Sequence, residues 1–79
     1  MNLLKLFESN REKVVYEYAP EGEGKFGKIA FLFSKGEAEI VEPAEKDEKN
    51  WYAYKAISSL ERQIKENKGL PLEFINSWG

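Results

Sequence analysis

Residues 50–68 read NWYAYKAISSLERQIKENK, and the fold turns on them. Ala53, Ala56, Ile57, Leu60 and Ile64 recur at spacings of three and four, which lays one apolar stripe along a helix. Tyr52 and Tyr54 flank that stripe at about 100° to either side, because each residue turns a helix by that angle. Asp47 or Asn50 is expected to cap the first turn. Gly69 is a ready C-cap, and Pro71 prevents continuation. At about 1.5 Å per residue, such a helix is long enough to cross a small sheet.

A one-sided helix needs a surface to cover, and the first half of the chain supplies it. Leu4–Glu8 alternates, and Ser9–Glu12 is polar and turn-like. Val14–Tyr18 is β-branched and aromatic, with Val14, Tyr16 and Tyr18 on one face. Pro20 halts pairing in a central strand, and three glycines between Glu21 and Gly27 make a loop. Lys28–Phe33 is the most apolar run, with Ile29, Phe31 and Phe33 inward and Ala30 and Leu32 outward. Ser34–Glu37 is a hairpin turn, and Ala38–Glu42 a fourth strand closed by Pro43. Short connections favour an antiparallel meander. The tail from Leu70 to Gly79 is apolar enough that Leu72, Phe74 and Trp78 are expected to pack, as a short added strand. The expectation is one α+β domain over residues 1–79, ordered ββββα with a structured tail.

Composition narrows the chemistry. With 79 residues the chain has a thin core, since a domain of this size buries only about 60% of its unfolded surface. Hydrophobic residues at 42% and aromatic residues at 14% exclude an intrinsically disordered chain. There is no Cys and no His, so disulfide staples, Cys/His zinc sites, histidine bases and thiolate nucleophiles are excluded. Net charge is −2, which gives no general pull toward nucleic acid. No apolar run reaches 18 residues, and the first residues lack a signal-peptide pattern, so a cytoplasmic protein that does not enter membranes is expected.

Charge is uneven: Glu37, Glu39, Glu42, Glu45, Asp47 and Glu48 form an acidic strip opposed only by Lys46. The helix after Asn50 is basic, with Lys55, Arg62, Lys65 and Lys68 against Glu61 and Glu66. An acidic approach and a basic end suit the helix dipole.

Gly22-Glu23-Gly24-Lys25-Phe26-Gly27 matches G-x-G-x-x-G, but a strand follows it where a dinucleotide-binding fold requires a helix. Its strand–loop–strand setting resembles the glycine loop of protein kinases over about nine residues. The catalytic and metal-binding acids of that family are missing, since Asp47 is the only aspartate. Nucleotide or phosphate binding at Gly22–Lys28 is kept as an alternative. Lys25–Phe33 loosely resembles the basic-aromatic strand of RRM and cold-shock domains, whose aromatics stack on bases, but the spacing is off and the core requires the same side chains. No calcium-loop pattern exists, and Ser34, Ser58 and Ser59 lack a base. No enzyme activity, cofactor or metal is expected.

Val14–Tyr18, Pro20-Glu21-Gly22, Gly27-Lys28-Ile29, Tyr52–Ile57 and Leu70-Pro71-Leu72 together resemble a group of short bacterial proteins of the Firmicutes type with no assigned activity. The resemblance implies a compact strand-rich domain with a C-terminal helix and carries over no catalytic residue.

Two tryptophans, four tyrosines and five phenylalanines are more than a thin core hides. Trp51 lies opposite the helix stripe, unless the helix starts later and the ring packs back on the tail. The expected function is a protein-interaction module, self-association included, with Trp51, Tyr52, Trp78, Ala30 and Leu32 as candidate contacts. A further alternative is an acidic inhibitor or nucleic-acid mimic acting through the Glu37–Glu48 strip.

Overall fold

The computed structural model describes residues 1–47 and 49–78. Strands β1 (Asn2–Ser9), β2 (Lys13–Pro20), β3 (Gly27–Leu32) and β4 (Glu37–Glu42) precede helix α1 (Trp51–Lys65), and β5 (Glu73–Asn76) closes the order. The strands form one antiparallel sheet in the order β4-β3-β2-β1-β5. The Cα radius of gyration is 11.3 Å, close to the roughly 11.6 Å expected for a folded chain of this length.

The core lies between one sheet face and the helix. Tyr16 pairs with Leu6 and Ile29, Tyr18 with Leu4 and Gly27, and Val14 with Phe31, so period-two alternation gathers these apolar side chains on one side. Ala53, Ala56 and Leu60 press onto them fully buried, with Ile57 and Ile64 partly buried at the stripe's edges. Burying a leucine such as Leu60 contributes about 1.5–3 kcal/mol. The expected stripe is therefore the packing stripe.

Three local readings are corrected, at Phe33, Leu72 and the helix end. Phe33 falls just beyond β3 and is 44% exposed, because the chain is already turning there: its N–H donates to Glu12 O at 3.1 Å, and the Lys35 and Gly36 N–H groups both donate to Leu32 O. Pro20 ends the β2 ladder opposite Asn2, as expected. Leu72 is 79% exposed, since it precedes β5, while Phe74 turns inward and meets Tyr16 edge-on at 5.4 Å. The helix ends before Gly69: Asn67, at φ 53°, takes the left-handed position. Its N–H donates to Ile64 O at 3.2 Å, and Lys68 N–H donates to Gln63 O at 2.9 Å, which is the bond pair of a Schellman cap.

Gly27 serves close approach. A Cβ there would collide with Ala44 N, Glu42 O and the Tyr18 ring. Its bare backbone lets the Tyr18 ring lie across β3 and reach the segment that leads into the helix.

Candidate functional site: an aromatic cluster beside a basic cleft

The Tyr18 reach sets where the helix starts. Its hydroxyl accepts from Ala44 N–H at 3.0 Å and donates to Asp47 Oδ2 at 2.9 Å. Burial pushes this hydroxyl up to about 12; the Ala44 bond lowers it in part, and the Asp47 carboxylate raises it. Asp47 then accepts from Tyr52 N–H at 3.0 Å and Ala53 N–H at 2.8 Å. Two of the helix's unpartnered N–H groups are thereby satisfied by a carboxylate placed before the first turn. Asn50, the other expected cap, makes no side-chain cap bond and sits at φ 58°.

With the start fixed, Trp51 is the first helical residue and stands 50% exposed. The tail comes to meet it. β5 pairs with β1, and Tyr16 O–H donates to Pro71 O at 2.6 Å, pinning the approach. Buried Asn2 donates from Nδ2 to Tyr52 O at 2.9 Å and to Asn76 Oδ1 at 3.2 Å, tying helix, β1 and β5 together. Trp78 consequently packs on Trp51 (centroids 5.2 Å apart, 73° between planes) and on Tyr52 (5.6 Å). Trp51 also meets Tyr52 edge-on at 5.6 Å. Tyr52 O–H donates to Glu21 Oε2 at 2.9 Å. The N-terminal ammonium and that hydroxyl together hold the Glu21 carboxyl below its ordinary value. Both expectations for Trp51 hold in part: the helix begins at this residue, and the ring also leans on the tail.

One turn on, Lys55 Nζ sits 5.0 Å from the Trp51 ring centre and 5.7 Å from that of Trp78. Lys55 opens a cleft of about 290 Å³, lined by Ser58, Ser59 and Arg62 of α1 and by Asn76, Ser77 and Trp78 of the tail. Positions 55, 58, 59 and 62 share one helix face by the three-and-four rule. Among the described residues, neither Lys55 nor Arg62 has an ion-pair partner, and no acidic side chain lines the cleft.

Trp51, Tyr52 and Trp78 are therefore brought together, and Ala30 and Leu32 are not. The latter two lie on the opposite sheet face. Ala30 is only 3% exposed, because its methyl is flanked in register by Val15 and Glu39. It offers no contact surface in this chain.

The acidic strip also divides. Asp47 is 4% exposed and committed to the helix start, so it contributes nothing to an acidic surface. Glu39 lies 3.9 Å from Lys35, and Glu42 lies 3.9 Å from Lys28. Glu37 and Glu45 are exposed, and Glu48 lies outside the described residues. In the glycine loop, a Cβ at Gly24 would meet Lys46, and Lys25 O accepts from Glu45 N–H, so the loop is backed by chain.

Lys55, Ser58, Ser59 and Arg62 went unremarked in the sequence as a site. Their shared helix face was legible from spacing, but the tail that completes the cleft becomes visible only through β5 pairing. No family model, no curated protein and no solved structure matches the chain, so geometry alone carries the functional argument.

Proposed function

We propose that the protein is a small non-enzymatic binding module whose docking face is the Trp51–Tyr52–Trp78 cluster with Lys55. The observation that carries this reading is Trp51: a half-exposed indole held by two aromatic neighbours and a lysine at the start of a latched helix. Large aromatic rings fixed before binding lose little freedom on contact, and Trp and Tyr dominate the energetics of protein interfaces. The burial of Ala30 and of Asp47 leaves the outer sheet face and the acidic strip with less to offer a partner.

The test is capture from the native host with tagged wild-type chain and with Trp51→Ala in parallel, analysed by mass spectrometry. A protein retained by wild type and lost from a folded Trp51→Ala chain supports the reading. Equal retention by both sinks it.

A further inference from the structure

Resting on that docking reading, we propose that the partner segment is an acidic peptide that adds as an extended strand to the free edge of β5, its alternate carboxylates entering the cleft between β5 and α1.

Three observations point there. Among the described residues, β5 is the last strand of the sheet and pairs with β1 alone. Leu6 N–H donates to Leu72 O at 2.9 Å, which places Leu72 opposite Leu6 as a hydrogen-bonding position. In an antiparallel ladder such positions alternate, so Phe74 and Asn76 direct their backbone groups to β1. The N–H and C=O groups of Glu73 and Ile75 then face outward, the arrangement that accepts an added strand. At the C-terminal end of that edge lies the cleft, lined by Ser58, Ser59 and Ser77 with Lys55 and Arg62, which have no ion-pair partner among the described residues.

The two halves fit one ligand. A strand laid along β5 sends every second side chain toward the helix layer, at a spacing of about 6.8 Å. Lys55 and Arg62 stand seven residues apart, about 10.5 Å along the helix. Long flexible basic side chains bridge that difference, so two or three alternate acids reach cations or serine hydroxyls. The other openings fit such a ligand less well. The cleft lined by Phe33, Ile64 and Leu70 has no charged group, and the one on the outer sheet face sets Glu17 and Glu42 among its lysines.

The experiment is fluorescence anisotropy of a labelled eight-residue peptide alternating threonine and glutamate, titrated with the full chain. Saturable binding is expected. It should weaken roughly tenfold or more in the Lys55→Gln/Arg62→Gln double variant, as expected when each charge-assisted contact is worth about a factor of ten. Ile75→Pro should weaken it as much, since proline removes an outward N–H and leaves the β1 ladder intact. A peptide of four threonines followed by four glutamates, equal in charge but not in alternation, should bind at least tenfold more weakly. Slower amide exchange at Glu73 and Ile75 on peptide addition is a readout independent of how Ile75→Pro folds. No binding of the alternating peptide, equal binding of the block peptide, or unchanged exchange at those amides overturns the proposal. Binding of a glutamine- or lysine-containing counterpart instead, lost in Trp51→Ala, would overturn the acidic strand while leaving the docking face standing.

Discussion

Tyr18 does two jobs with one side chain, filling the core and holding the approach to the helix. Because its folded-state pKa is raised from 10.0 to about 12, the protonated hydroxyl stabilises the fold fully below pH 10. That contribution is lost as pH rises from about 10 to about 12, and is on the order of 2–3 kcal/mol. Urea unfolding at about pH 9 and about pH 11.5 should show the fall, and Tyr18→Phe should reduce it, leaving the part that belongs to Tyr16, which burial also raises, and to Tyr52, which its bond to Glu21 raises. A Tyr18→Phe chain with the same alkaline decline would remove Tyr18 as its source. Asp47 is the companion case. Asp47→Ala leaves two helix N–H groups unpartnered and takes the acceptor from the Tyr18 hydroxyl, which keeps only its bond from Ala44 N–H, and should cost about 2–3 kcal/mol by urea unfolding. At this scale the sequence was half legible. Asp47 stood out as a candidate cap, but its service from five and six residues ahead of its donors depends on Tyr18 crossing β3 at Gly27, a contact that no local pattern encodes.

At the scale of elements, the helix followed from its one buried stripe, and β2 and β3, buried on both faces at Val15, Ala19 and Ala30, followed from their runs of β-branched and aromatic residues. Their ends were less legible. Gly69 offered itself as the helix stop, yet the Asn67 turn closes the ladder two residues sooner, since asparagine tolerates the left-handed region. Asn67→Gly should therefore leave stability unchanged or raise it by up to about 1 kcal/mol, and Asn67→Val should lower it by about 1–2 kcal/mol, both read from urea midpoints. Val equal to Gly would show that the turn is not needed. Phe7 marks another boundary that pattern could not give. A bulge between Leu6 and Glu8 leaves it outside the register, half-exposed, with Lys28 Nζ 4.3 Å from its ring centre.

For the whole molecule, the two sheet edges differ. β4 carries Glu37, Glu39 and Glu42, charges that discourage edge-to-edge pairing, whereas β5 is short, carries the one charge of Glu73 and ends beside the basic cleft. Glu39 lies opposite Ala30, on the sheet face away from α1. A second copy continuing the sheet in the same orientation would therefore turn that carboxylate away from Lys55 and Arg62. Sedimentation at tens of micromolar should show a monomer; a dimer that Trp51→Ala abolishes would mean that a second copy occupies the face assigned to another protein. The docking face itself stands on the claim that the Trp51 ring is not there to hold the fold. Equilibrium urea unfolding of Trp51→Ala against wild type tests that directly. The expected loss is no more than about 2 kcal/mol, since the ring's two aromatic pairs and its lysine contact are all half-exposed. A loss of about 3–5 kcal/mol, as for a buried aromatic, would make Trp51 a core residue and contradict the account.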